Sequence, residues 1–206
     1  MKIQVAIDRV TIEKAIEIIE VVKDFVDIIE IGTSLIKDYG LQSVKEIRRA
    51  FPEVKILADI KTIDEAEYEF RAAYEAGADI LTVMGAAAIA SIEICRKVAR
   101  EYNKEYMIDL LEVSGSKLNE LRRFEDAIFC VHLPADKGGA GLEELVAKSS
   151  RELMDCPRLA VAGGVNLKAL PILKKSGIEI AVVGGAITKS ENMLEAANTF
   201  YREARL

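Results

Sequence analysis

The residues with the clearest chemical potential lie in one short stretch, which reads KILADIKTID over residues 55–64. An apolar run typical of a buried strand leads into Asp59, Lys61 and Asp64. Asp59 and Lys61 are two residues apart, so on a strand both side chains point to the same side. Burying two acids and a lysine without partners costs on the order of several kcal/mol. The stretch therefore predicts a site where these charges compensate one another or a ligand.

A purely structural explanation fits this stretch when it is taken alone. Asp59 and Lys61 would then form a salt bridge where the strand ends. Asp64 would cap the following helix, and Glu67, three residues later, would complete a capping box. The rest of the chain has to decide between the two explanations.

The elements that must position these residues alternate between strand and helix patterns. Short apolar runs predict eight strands, at 2–8, 27–31, 54–60, 80–83, 106–110, 127–131, 159–162 and 180–183. Helical periodicity predicts helices at 11–23, 40–51, 64–76, 88–102, 116–124, 141–153, 167–176 and 190–204. A closed (β/α)8 TIM barrel requires this order, since parallel neighbours need crossovers and helices must cover the outside. A doubly wound open sheet is the alternative.

Composition limits the class of protein. With 206 residues, of which 50% are hydrophobic, the chain can form one α/β domain over 1–206 with short loops. A net charge of -6 without a basic cluster argues against a nucleic-acid partner. No apolar run reaches the roughly 20 residues that span a membrane, and no signal-peptide pattern begins the chain, so we expect a cytoplasmic protein. Cys95, Cys130 and Cys156 are expected as reduced core residues.

Polar residues stand at the ends of most predicted strands and almost nowhere else within them. These residues are Asp8, Glu30, Asp59, Lys61, Asp109 and His132. Judged singly, each has a structural explanation as a cap, a surface or turn acid, or a core histidine. Function in a TM barrel lies at the carboxyl ends of the strands. Their shared location therefore predicts one convergent site.

Paired glycines follow the last two predicted strands, as Gly163-Gly164 and Gly184-Gly185. Any tight turn uses glycine, so one such pair is weak evidence. The loops after strands seven and eight are, however, the usual phosphate site of this barrel, where backbone N–H groups approach an anion closely. The sequence predicts a ligand with a phosphate at these glycines and its reacting atoms near Lys61.

Over essentially its whole length the chain resembles the orotidine 5'-monophosphate decarboxylase superfamily. The D-x-K-x-x-D signature of that superfamily stands here as Asp59-Ile-Lys61-Thr-Ile-Asp64. The supporting stretches are IQVAID, DIIEIGTSLI, EAGADILTVMGAA, CVHLPAD, AVAGGVN and VVGGAIT. Within the superfamily the chain is most similar to the 3-hexulose-6-phosphate synthase / 3-keto-L-gulonate-6-phosphate decarboxylase group. Magnesium-dependent members pair the signature with an acid after strand two, as Glu30 does here.

The resemblance implies roles for four of the residues. Glu30 and Asp59 would be Mg²⁺ ligands, because hard carboxylate oxygens suit that ion. Lys61, together with the metal, would offset the charge of an enediolate. His132 would move the proton, since histidine is the side chain best suited to taking up and releasing a proton near neutral pH.

The remaining acids take supporting roles under the same resemblance. Asp109 would orient a catalytic group or a bound water, and Asp8 would hold substrate hydroxyls or Lys61. Asp64 resembles an acid that reaches into the neighbouring subunit's site. The resemblance therefore implies a homodimer that acts on a small phosphorylated sugar.

Two related reactions and one non-catalytic function remain open. The synthase reaction joins formaldehyde to D-ribulose 5-phosphate and gives D-arabino-3-hexulose 6-phosphate. The alternatives are decarboxylation of 3-keto-L-gulonate 6-phosphate through the same enediolate, and a phosphosugar-binding barrel without activity. Ala135 weakens the decarboxylase interpretation, because that enzyme has an arginine three residues after the strand-six histidine. Pro134 and Glu65 depart from the synthase pattern beside the site.

Overall fold

The fold is a closed barrel of parallel strands, seen in a computed structural model that describes residues 1–113, 115–134, 141–142, 144, 146, 153, 156 and 158–206. The strands are β1 Lys2–Ile7, β2 Ile28–Ile31, β3 Ile56–Thr62, β4 Ile80–Met84, β5 Glu105–Asp109, β6 Ile128–His132, β7 Leu159–Ala162 and β8 Ile180–Val183. They pair in chain order, and β1 pairs with β8 to complete the barrel. The predicted TIM barrel is confirmed, and the open sheet is excluded.

Helices follow the strands along the chain. They are α1 Ile12–Val22, α2 Thr33–Tyr39, α3 Gln42–Ala50, α4 Ala66–Glu75, α5 Ile89–Glu101, α6 Gly115–Leu121, α7 Leu170–Lys175, α8 Gly185–Thr188 and α9 Met193–Arg205. The hydroxyl of Thr11 caps α1 by accepting the N–H of Lys14. The helix predicted at 141–153 falls mostly on residues outside those that the structure describes. None of the described helices is long and apolar enough to cross a membrane.

The structure corrects two of the predicted elements. The chain from Gly32 to Phe51 forms α2 and α3, separated at Gly40, where one helix at 40–51 was expected. The short α2 is hard to predict from residue pattern, because only Leu35 of its seven residues is buried. After β8 the chain enters α8 at once, where the sequence predicted only a glycine loop.

The predicted capping box at the start of α4 is also wrong. The N-cap of α4 is Glu65, and its side chain makes no capping hydrogen bond. Glu65 is left-handed, with a φ of 53°, so it occupies a conformation that favours glycine. Gly77 follows the end of the same helix with a φ of 112°, a backbone conformation that favours glycine.

Apolar side chains fill the amino-terminal part of the barrel interior and the space between the barrel and the helices. Ile28, Leu57, Ile80, Met107 and Ile128 form part of the cluster inside the strands. A larger cluster packs the outer faces of the strands against the helices. The three cysteines are buried, as predicted.

The amino-terminal end of the barrel carries a network of ion pairs that the sequence did not predict. Lys55 pairs with Glu105, which also pairs with Arg158, and Arg158 and Lys2 both pair with Glu179. Charged side chains therefore stand at both ends of the strands. Those at the amino-terminal end pair with one another within the fold.

Candidate active site

Five of the predicted site residues meet inside the carboxyl-terminal end of the barrel. Glu30 comes from β2, Asp59 and Lys61 from β3, Asp109 from the end of β5, and His132 from the end of β6. All five line one small cavity with a volume of about 20 Å³. A space of this size holds roughly one water molecule or ion.

A chain of polar contacts joins the lysine to the histidine. Lys61 Nζ donates to Asp109 Oδ2 at 2.8 Å and lies 3.0 Å from Asp59 Oδ2. His132 Nδ1 lies 2.8 Å from the same Asp109 oxygen. Asp109 therefore bridges the two groups, which are 71 residues apart in the sequence.

Burial and neighbouring groups determine the protonation states of Asp109 and Lys61. Burial opposes ionisation of Asp109, but the hydrogen bond from His132 and the charge of Lys61 lower its pKa to about 2. Burial alone would lower the pKa of Lys61, but the charges of Asp59 and Asp109 raise it above the usual value. Lys61 is therefore a cation at neutral pH.

The ionised state of Asp109 also decides which nitrogen of His132 is available. An ionised carboxylate can only accept hydrogen bonds, so His132 donates to Asp109 through Nδ1. In the neutral ring the proton then sits on Nδ1, and Nε2 is the nitrogen that can take up a proton. The arrangement can act as a general base with an oriented imidazole.

Glu30 is the most strongly perturbed acid of the site. It is 8% exposed, and Gln4 Nε2 donates to its Oε2 at 2.6 Å. Burial and the negative charge of Asp59 raise the pKa of Glu30 to about 8. A divalent cation would relieve the repulsion between these two buried carboxylates, so the pair fits a hard metal ion.

The number of protein ligands available here suits magnesium. No group of three or more histidine, cysteine or acidic side chains among the described residues is placed to hold a metal ion. A cation at Glu30 and Asp59 would thus take its other ligands from waters and substrate oxygens. Mg²⁺ commonly binds in this way, through one or two carboxylates.

Three polar residues of the site were missed from the sequence. Thr33 Oγ1 donates to Asp59 Oδ2 at 2.6 Å, and Thr82 Oγ1 donates to Asp59 Oδ1 at 2.8 Å. Gln4 holds Glu30, as described above. Gln4 and Thr82 carried a signal, because each is a polar residue in the middle of an otherwise apolar strand, where a buried partner is needed. Thr33 is the first residue of α2, just after β2, and carried no such signal.

Asp8 lies at the rim of the site and outside this cavity. Its Oδ1 accepts hydrogen bonds from the backbone N–H and the hydroxyl of Ser34, at 3.2 and 2.8 Å. A Cβ at Gly32 would come within 2.3 Å of its carboxyl group, so this glycine is needed for the approach. Within the described part of the chain Asp8 makes no hydrogen bond to Lys61, which leaves substrate hydroxyls as the expected partners.

Asp64 is not brought into the cavity of its own subunit. It is exposed in the turn between β3 and α4, next to Glu65. Ile63 and Tyr68, on either side of this turn, are 54% and 73% exposed. An acid beside large exposed apolar side chains fits a surface that another subunit covers.

The two glycine pairs have different conformations. Gly163 and Gly164 have φ of 92° and 72°, and a Cβ at Gly163 would lie 2.1 Å from the carbonyl oxygen of Leu133. Gly184 and Gly185 lead into α8, and a Cβ at Gly185 would meet only the side chain of Lys189, at 3.4 Å. Gly163 is therefore required by the backbone itself, whereas Gly185 leaves its position open for a ligand.

A cavity of about 510 Å³ adjoins the loop after β7. Gly164, Asn166 and Lys168 are among the residues that line it. The volume suits a small sugar phosphate, and Lys168 supplies a positive charge near the glycine pair. The loop after β7 therefore adjoins open space with one cation, but the acid Glu144 also lines this cavity, and Gly184 and Gly185 do not.

Comparison with known proteins shows a consistent set of relatives. The model of the orotidine 5'-phosphate decarboxylase / HUMPS family matches residues 1–200. The chain is 36% identical over 203 residues to the 3-hexulose-6-phosphate synthase of Bacillus subtilis, with 96% of each chain covered. A crystal structure of a 3-hexulose-6-phosphate synthase superposes with a TM-score of 0.91 at 35% identity, covering 98% of this chain and 99% of the other.

A second activity occurs among the structural neighbours. The 3-keto-L-gulonate-6-phosphate decarboxylase of Vibrio cholerae superposes with a TM-score of 0.87 at 27% identity. The match covers 99% of this chain and 97% of that one.

Proposed function

The chain belongs to the orotidine 5'-phosphate decarboxylase / HUMPS family, and on this premise we propose that it is a magnesium-dependent aldolase for formaldehyde and D-ribulose 5-phosphate. The product is D-arabino-3-hexulose 6-phosphate, and the same site runs the reverse cleavage. Relatives with the synthase name support the reaction class. The observation that carries the proposal is the contact of Lys61 and His132 with one ionised carboxylate, Asp109, beside the acids Glu30 and Asp59.

Proton transfer falls to His132. Its Nε2 takes the proton from the carbon next to the substrate carbonyl, which leaves an enediolate. Asp109 keeps the ring oriented and stabilises the imidazolium that forms. The enediolate carbon then attacks the carbon of formaldehyde, and the imidazolium returns a proton to the new hydroxyl oxygen.

Charge stabilisation falls to Lys61 and to the metal ion. Lys61 is held as a cation by Asp59 and Asp109, so it can offset the negative charge that develops on the enediolate. Glu30 and Asp59 would hold Mg²⁺, which when bound supplies a Lewis acid for the enediolate oxygens. Gln4 and Thr33 keep the two carboxylates in place through hydrogen bonds.

The substrate phosphate is placed at the two glycine loops. Replacing Gly185 by alanine should raise KM for ribulose 5-phosphate on the order of tenfold or more, because the methyl group keeps the phosphate from the backbone N–H groups. Thermal stability should change little, since the new Cβ meets only the Lys189 side chain. Gly115→Ala is the matched control, because a Cβ there has no neighbour within 4 Å. An unchanged KM in the Gly185 variant, or equal use of ribulose without its phosphate, would contradict this placement.

The active unit in this proposal is a homodimer in which Asp64 serves the partner's site. Asp64 is exposed in its own subunit and is flanked by the exposed side chains of Ile63 and Tyr68. Covering these apolar side chains would favour association. Under this arrangement one subunit alone holds an incomplete site.

Mixing two inactive variants tests whether Asp64 serves the site of the partner subunit. Asp64→Asn and Lys61→Ala should each be nearly inactive alone. After subunit exchange, half of the dimers are mixed and half of their sites are intact, so about a quarter of the wild-type activity should return. Mixing Lys61→Ala with His132→Ala is the control and should restore none, because both residues belong to the same subunit's site. No recovery in the first mixture, with exchange verified, would place Asp64 outside the partner's site.

An assay on two substrates tests the proposed function itself. Purified protein with Mg²⁺ should consume formaldehyde and ribulose 5-phosphate, and should release little carbon dioxide from 3-keto-L-gulonate 6-phosphate. Ala135, where the decarboxylase has an arginine, lies outside the described residues, so this expectation rests on the sequence. Faster decarboxylation would favour the second activity, and binding without turnover of either substrate would favour a non-catalytic barrel.

A further inference from the structure

Lys61 lies in an irregular part of β3. Ala58 pairs with Leu81 of β4, but the next paired residues are Thr62 and Val83. Three residues of β3, from Asp59 to Lys61, therefore stand opposite the single residue Thr82 of β4. Lys61 itself has a left-handed φ of 49°, which a non-glycine residue keeps only when its surroundings hold it.

Thr82 makes the contacts that could hold this irregularity. Its side chain is buried, with the residue 3% exposed. Its Oγ1 accepts the backbone N–H of Lys61 at 2.9 Å and donates to Asp59 Oδ1 at 2.8 Å. One hydroxyl thus satisfies the backbone of the lysine and orients the neighbouring carboxylate at the same time.

We propose that Thr82 is a positioning residue, which holds the Lys61 backbone in its left-handed conformation and the Asp59 carboxylate in a fixed orientation. With the Lys61 backbone and the Asp59 carboxylate both held, Lys61 Nζ contacts Asp59 and Asp109 at the same time. Thr82 acts through the backbone of Lys61 and the carboxylate of Asp59. The inference deepens the proposed function, because it depends on Lys61 and Asp59 being the groups that act on the substrate.

Two substitutions separate the hydroxyl from the shape of the side chain. Thr82→Val keeps the shape and removes the hydroxyl, whereas Thr82→Ser keeps the hydroxyl. We expect Thr82→Val to lower kcat on the order of 10²-fold, since small displacements of reacting groups have effects of this size. KM for ribulose 5-phosphate should change less than about threefold, because the glycine loops are untouched. Thr82→Ser should keep kcat within about fivefold of the wild type.

Hydrogen exchange at the Lys61 backbone amide supplies a readout that does not need turnover. In NMR exchange measurements this amide should be protected in the wild type and in Thr82→Ser, and should exchange faster in Thr82→Val. Thermal unfolding checks that the valine variant folds, and Thr82→Ala takes its place in both measurements if it does not.

Different experimental results would overturn the inference about Thr82 and the proposed function. Wild-type kcat and wild-type exchange in Thr82→Val would overturn the inference, as would a loss in Thr82→Ser as large as that in Thr82→Val. A lower melting temperature with unchanged kcat would make Thr82 merely structural and would also overturn it. If the wild-type protein turns over neither substrate, the proposed function fails, and the exchange of the Lys61 amide still decides the role of Thr82.

Discussion

Replacing Lys61 by alanine is expected to lower kcat by about 10²-fold or more, because a cation fixed beside the enediolate would be lost. The variant should also be less stable, since Asp59 and Asp109 would remain buried without their cation; breaking such a pair costs about 3–5 kcal/mol. Lys97→Ala is the matched control, because Lys97 is exposed on α5, 3.7 Å from its nearest carboxylate. Steady-state kinetics below the melting temperature of each variant separate the two effects.

The same lysine should not form a covalent intermediate with substrate. Schiff-base chemistry needs a neutral amine, and the charges of Asp59 and Asp109 favour the ammonium form of Lys61. Borohydride added together with ribulose 5-phosphate should therefore leave the mass of the protein unchanged. A reduced adduct on Lys61 would disprove the enediolate mechanism. A wild-type kcat in Lys61→Ala would show that Lys61 has no role in that mechanism.

Removal of divalent ions is expected to abolish activity, and Mg²⁺ is expected to restore it. Glu30 and Asp59 are two buried carboxylates whose charges repel each other, so they should bind a hard cation with substrate. Glu30→Gln should weaken Mg²⁺ binding at least about tenfold, since one of two protein ligands is lost. Glu17→Gln, an exposed acid on α1, is the control. Unchanged turnover after thorough chelation would show that Glu30 and Asp59 have only a structural role.

The pH dependence of metal binding gives a second test of Glu30. Its pKa is raised to about 8 by burial and by the charge of Asp59, so below that pH the metal-free site holds a proton that a cation must displace. Mg²⁺ affinity should therefore rise from pH 6 to 8, and binding at pH 7 should release a proton. Calorimetry in two buffers of different ionisation enthalpy measures this release. Binding without proton release at pH 7 would show that Glu30 is already ionised there.

Much of the site was predictable because strand geometry is local. Alternation along β3 predicts that Asp59 and Lys61 share one side. Both do line the cavity, although β3 departs from regular alternation between Ala58 and Thr62. The structural explanation of that stretch was half right, since Lys61 does pair with Asp59, but Asp64 does not cap α4. The left-handed residues Lys61 and Glu65 account for the error, because they redirect the chain before the helix begins.

The sequence by itself determined the barrel, the strand ends that carry polar residues, and the glycine pairs after the last two strands. Each of these follows from periodicity or residue type within a few neighbouring positions. Only the tertiary structure decided which partners these residues have. Asp109 binds a lysine 48 residues before it and a histidine 23 residues after it. Such contacts depend on strand register around the closed barrel, which no local pattern specifies. For the same reason only the structure shows that the partners of the Thr82 hydroxyl are the Lys61 backbone and Asp59, in the irregular part of β3.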